Sequence, residues 1–187
     1  MTVENIFSKM AARMVEGLMF HSKMADYYGF LGLDGYAKCH RYHYFEENIA
    51  YRKISDYYLH HCGKIIEEMQ FRNPEVIPET WFKYKRTDVS AQTRKSSVQM
   101  GLEKWVEWET GTKKLYEECY KELININEFA LAFIVENLIE DVDDELAKAE
   151  QKHLERVAID FDIFEIMSEQ KEIKKKYERK LKELKLC

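Results

Sequence analysis

Two glutamates, Glu47 and Glu109, each sit at the centre of a row of otherwise apolar or aromatic residues spaced alternately by four and three. Residues so spaced share one face of a helix, so both carboxylates point toward a helical interface. A buried, unpaired carboxylate is costly: such a site must protonate it, pair it with a cation, or hold a metal ion. No lysine or arginine lies in either row, whereas histidines do. His21 lies in a third row, and His40 and His43 share the row of Glu47, His43 one turn before it. Carboxylate and imidazole donors together suit Fe, Mn or Zn better than Mg or Ca, which prefer all-oxygen shells. The competing reading is a metal-free core network of Glu, His and Tyr. The acidic run ENLIEDVDDE, residues 136–145, adds Glu140, Asp141, Asp143 and Asp144, which beside Glu46 would make an oxygen shell for a hard or ferrous ion. Acids this dense on a helix ordinarily form a solvated face. Glu16, on a row with Lys9, Arg13, Phe20 and Lys23, reads as a surface ion-pair partner.

The elements that carry these residues are long helices. The first row, Met10, Met14, Gly17, His21, Met24 and Tyr28, predicts a helix over 4–29. The second, Tyr36, His40, His43, Glu47, Ala50, Ile54, Tyr57 and His61, predicts one over 35–62. The third, Val98, Leu102, Trp105, Glu109, Thr112, Tyr116, Cys119 and Leu123, predicts one over 88–123. A stripe of Leu131, Ile134, Val135, Leu138, Val142 and Leu146, with Asp141 and Asp144 at its edge, predicts a fourth over 127–160, its start marked by the capping-box-like pair Asn125 and Glu128. GFLGLDG, residues 29–35, and INI, residues 124–126, are short turns, so the helices pair as antiparallel hairpins. Between the hairpins, residues 63–87 contain both prolines, Pro74 and Pro78. That segment reaches ~80 Å if extended, against about 42 Å for a 28-residue helix, and so can cross a bundle end to end. The expected fold is all-α: a four-helix bundle of residues 1–160 with one long crossover, 63–87, followed by a C-terminal basic helix over 161–187. That tail has an apolar line of Ile166, Ile173, Tyr177, Leu181 and Leu184, and its interleaved Lys and Glu suit a solvated face or an oligomer contact.

Composition agrees with this class. The chain has 187 residues, 45% hydrophobic and 34% charged, with only seven glycines and two prolines, which favours one helical domain over a turn-rich β fold. A net charge of -5 argues against nucleic acid as a partner. Cys39, Cys62, Cys119 and Cys187 contain no Cys-x-x-Cys pair, so a zinc ribbon is unsupported and idle thiols in a reducing cytoplasm are expected. No apolar run approaches the roughly 20 residues of a membrane span.

The stretch MADYYGFLGLDGYAKCHRYHYFEENIAYRKISDYYLHHCGKI, residues 24–65, resembles the non-haem ferritins of the ferritin-like superfamily, without a gap, from the end of their first helix through their second. LEKWVEWE, residues 102–109, is similar to the third-helix motif of that family, and FIVENLIEDV, residues 133–142, to its fourth. The resemblance implies iron binding, oxidation of Fe(II) at a dinuclear centre and storage in a hollow homo-oligomer. It places the family's bridging glutamate on Glu47, its third-helix glutamate on Glu109, and its auxiliary acids on Glu46, Glu140, Asp143 and Asp144. It also places the first-helix ligand glutamate on Met14 and the second-helix histidine on Ala50, so the standard dinuclear centre is incomplete. His21 stands where the family has a tyrosine, and Trp108 replaces a histidine. The resulting expectation is an altered metal centre at Glu47 and Glu109 with His21 and His43 as replacement ligands. The alternative is a catalytically silent ferritin-like scaffold.

Overall fold

A computed structural model describes residues 2–67, 71–74 and 85–184. Among these the chain forms five α-helices and no strand: α1 Val3–Phe30, α2 Asp34–Cys62, α3 Ala91–Asn125, α4 Phe129–Ala158 and α5 Ile163–Glu183. The all-α class and the additional C-terminal helix are therefore as expected. Most of the expected crossover, including Pro78, lies outside the described residues. Of its described part, the carbonyl of Pro74 accepts a hydrogen bond from Lys23 Nζ on α1.

The helix ends follow their capping residues. The Thr2 hydroxyl accepts from Asn5 N at 3.3 Å and opens α1. α3 starts at Ala91 rather than 88, because Ser90 accepts from Thr93 N at 3.1 Å while Arg86–Asp88 forms a separate 3-10 turn. Asp162 caps α5 by accepting from Phe164 N at 2.8 Å and Glu165 N at 3.1 Å. One expected cap is corrected: Asn125 is the last residue of α3, and Glu128 precedes α4 without a side-chain cap. The turn between them instead reverses at Asn127, whose φ of 62° lies in the left-handed region that Asn tolerates. Gly32, at φ 79°, does the same between α1 and α2.

Helix α1 packs on α2, α3 on α4, and α1 on α3, while α5 lies along α2 and touches α3. α2 has no side-chain cap of its own. Its first turn is completed by α5, where Gln170 Oε1 accepts from Gly35 N at 2.9 Å and Tyr36 N at 3.2 Å. The apolar core divides in two. One cluster, including Met24, Tyr28, Leu33, Leu102, Trp105, Ile166 and Tyr177, fills the end that carries α5. The other, including Phe7, Met10, Met14, Ile54, Tyr116, Leu131 and Val135, fills the opposite end. Between them the same helical rows change to polar residues, and a belt of buried His21, His43, Glu109 and Thr112 crosses the bundle.

Candidate metal centre

A cavity of about 470 Å³ opens into the bundle at this polar belt. Its wall combines His21 from α1, His43, Glu46, Glu47 and Ala50 from α2, Glu109 and Tyr116 from α3, and Asp141, Asp144 and Glu145 from α4. Lys180 and Leu184, at the end of α5, also border it. The exposed Glu140 and Asp143 are not in the wall, and Asp143 pairs with Lys113 at 2.6 Å.

The outer end is built on His43, which is only 3% exposed. Its Nδ1 lies 3.0 Å from Glu46 Oε2, one helical turn on, and 2.7 Å from Glu145 Oε2 across the bundle. One ligand atom from each of these three residues falls within 4.8 Å of the others. Burial opposes charge on the imidazole, but Glu145 outweighs it and raises the His43 pKa well above the ordinary value. Burial likewise opposes charge on Glu145, yet His43, with Lys148 Nζ 2.9 Å away, brings its carboxyl down to about 2.

At the deep end the balance reverses. Glu109 is 3% exposed and accepts from Trp105 Nε1 at 3.0 Å; His21 Nε2 is 3.7 Å away. Burial, reinforced by the charge of Glu145, pushes the Glu109 carboxyl up to about 7. Glu47 is raised well above its ordinary range by burial and by Glu109. The Glu47 side chain reaches α1 through a gap at Gly17, where an added Cβ would lie 2.5 Å from Glu47 Oε1. His21 itself is kept neutral by burial and by the neighbouring His40 and His43. Its Nδ1 lies 3.0 Å from Nδ1 of the buried His40.

Two participants escaped the sequence reading. Continuing the four-and-three spacing down α4 gives Leu131, Val135, Leu138, Val142, Glu145 and Ala149, so Glu145 holds an inner position that the stripe ending at Leu146 passed over. The other is Arg13. Its guanidinium lies 3.4 Å from the centroid of the Trp108 ring, with Nη2 donating to Trp108 O at 2.8 Å and Nε to Thr112 Oγ1 at 2.9 Å. Its electrostatic effect reaches both Glu47 and Glu109. Arg13 keeps a 3.6 Å ion pair with Glu16, but it turns inward rather than forming a purely surface pair. Its row gave no sign of this, because the long stem carries the charge across from a neighbouring face.

The sequence matches no family model and no curated protein. Solved structures match over nearly the whole chain. An engineered closed form of the Archaeoglobus fulgidus ferritin superposes with a TM-score of 0.76 at 16% identity, covering 93% of this chain and 96% of that one. The open-pore ferritin of the same hyperthermophilic archaeon gives 0.75 at 16% identity over 91% and 94%. A humanized archaeal ferritin gives 0.73 at 16% identity, again over 91% and 94%. The fold is ferritin-like. Within this ferritin-like bundle, Met14 is fully buried among apolar neighbours and Ala50 contributes only a methyl group to the cavity wall, so neither offers a donor. No helix among the described residues is long and apolar enough to cross a membrane.

Proposed function

We propose that this chain binds a divalent transition-metal ion, iron first among the candidates, with His43, Glu46 and Glu145 as the primary donors. The observation that carries this reading is the convergence of those three side chains from α2 and α4 on one side of an open cavity. One imidazole and two carboxylates suit Fe, Mn or Zn. Glu47 and Glu109 lie deeper in the same cavity and would supply further carboxylates on losing their protons. His21 would add an imidazole there. Binding through His43 Nδ1 requires that nitrogen to give up its proton, so uptake releases protons and strengthens as pH rises.

The centre is proposed to be mononuclear. Met14 and Ala50 remove the donors that a second ion would need, and the Arg13 guanidinium already places positive charge near the deep carboxylates. Asp141 and Asp144, exposed at the cavity wall, would attract cations to the opening, whereas Glu140 and Asp143 would act only through the general field. Held here, iron would supply electrons to dioxygen or peroxide, which makes the chain a candidate iron-oxidising or iron-storing protein. Association with further copies is part of the proposal. Phe129 and Phe133, 61% and 63% exposed and one turn apart on α4, offer an apolar face for it. A reducing, cytoplasmic setting is proposed from the free thiols of Cys39, Cys62 and Cys119.

The test is anaerobic titration with Fe(II) and Co(II), together with anomalous diffraction from soaked crystals. Density between His43 and Glu145, lost in Glu145→Gln, supports the reading. No bound ion at saturating metal would leave the silent scaffold, with His43 as an internal cation held between Glu46 and Glu145. Sedimentation analysis reads the number of copies.

A further inference from the structure

A second cavity, about 220 Å³, lies between α2, α4 and α5 and adjoins the first through Lys148 and Lys180, which border both. Its walls are aromatic: Tyr36 from α2, Trp105 from α3 and Tyr177 from α5. Four lysines border it, Lys148, Lys152, Lys176 and Lys180, against a single acid, Glu155. Two of the four are neutralised, Lys148 by Glu145 at 2.9 Å and Lys152 by Glu155 at 2.7 Å, with Glu169 a further 3.8 Å from Lys152. The other two have no carboxylate partner among the described residues. Lys176 Nζ lies 5.5 Å from the centroid of the Tyr177 ring, and Lys180 Nζ 4.7 Å from that of Tyr42 and 5.5 Å from that of Tyr177. They are one helical turn apart on α5, where like charges repel. Tyr36, only 4% exposed, lines the same cavity, and its buried hydroxyl has no hydrogen-bond partner among the described residues.

We infer that this cavity is a binding site for a small, single-ring aromatic anion. The three aromatic rings favour a flat apolar ligand. The ammonium groups of Lys176 and Lys180, free of carboxylates, attract negative charge, and the Tyr36 hydroxyl is an unused donor beside the cavity. The volume selects size: it lies below the roughly 300 Å³ at which pockets for larger ligands begin, so one ring with its acidic substituent fits and a nucleotide does not. This site does not depend on a metal in the adjoining cavity. Its ligand would sit beside that cavity, with Lys148 and Lys180 between the two.

Calorimetric titration of the full chain with benzoate tests the inference, with NMR contacts from the benzoate ring to the ring protons of Tyr36 and Tyr177 locating the ligand. Saturable one-to-one binding is expected, weaker by at least about tenfold for cyclohexanecarboxylate, which lacks the flat ring, and for benzyl alcohol, which lacks the charge. The Lys176→Gln/Lys180→Gln double variant should lose about tenfold and Tyr36→Phe about threefold, with helicity and melting behaviour checked by circular dichroism. Non-saturating binding overturns the site, as does benzoate affinity unchanged in the double variant. Inorganic phosphate binding as tightly as benzoate would show a charge cluster without a ring site and would equally overturn it.

Discussion

At the outer end of the larger cavity the Glu145 carboxyl is brought down to about 2, whereas at the deep end that of Glu109 is pushed up to about 7. Both side chains are largely buried and both face the same space. The difference lies in what touches them. Glu145 is held by two cationic partners, His43 at 2.7 Å and Lys148 at 2.9 Å. Glu109 accepts from the neutral indole N–H of Trp105 and lies 3.7 Å from the neutral His21, while Arg13 donates to Thr112 and Trp108 O instead. Through-space attraction from His43 and Arg13 lowers the Glu109 carboxyl only in part, because burial and the repulsion of Glu145 are larger. One end of the cavity is therefore charged and preorganised around an internal cation, and the other is a proton reservoir.

The two ends differ most in how they make stability depend on pH. Glu109 keeps its proton up to about pH 7 when folded but only to about 4.5 when unfolded, so the folded state holds the extra proton and stability falls as pH rises through that window. Glu109→Gln should remove that fall, about 3 kcal/mol, read from urea midpoints at successive pH values. Glu145 has the opposite sign. Its stabilisation is present above about 4.5 and lost as pH drops toward 2, so Glu145→Gln should flatten the acid limb by a similar amount, about 3 kcal/mol. Identical profiles for the two variants would erase the distinction between the ends.

The two ends also differ in expected metal affinity. Glu145→Gln should weaken Co(II) binding about a hundredfold and Glu109→Gln no more than about tenfold. The reverse order, measured by spectroscopic titration, would move the centre to the deep end. Arg13→Met should cost about 2 kcal/mol, because Thr112 Oγ1 and Trp108 O each lose a charged donor, keeping only the bond between themselves, and the guanidinium leaves the Trp108 ring. It should also shift the alkaline limb upward, since Glu109 loses a stabilising charge. Outside the cavity, Gln170→Ala leaves the amides of Gly35 and Tyr36 unpaired and should cost about 1 kcal/mol equally at every pH. A pH-dependent loss there would mean that α5 takes part in the cavity's electrostatics.

Much of this was legible in the chain itself. The rows through Met10 and His21, and through Val98 and Glu109, fall on the buried faces of α1 and α3 as read. The ends of α1 and α2 came within a residue of expectation because a short turn containing Gly32 limits where they can stop. The row of Glu47 was followed less well near its end, where Tyr58 rather than Tyr57 is buried. The role of Glu145 was readable in principle, since its spacing from Val142 continues the inner stripe. That of Arg13 was not, because its stem crosses from one face to the next.

Sequence alone determined the helical class, the fifth helix and the polar belt in the middle of the rows, since each follows from periodicity and turn chemistry local to one segment. Only the tertiary structure decided that His43 is held between Glu46 and Glu145, that Arg13 stacks on Trp108, and that α5 closes the start of α2 and borders both cavities. Apart from His43 and Glu46, one turn apart on α2, those contacts join different helices, and neither the rotation of one helix against another nor the reach of a long side chain is written in the spacing of either.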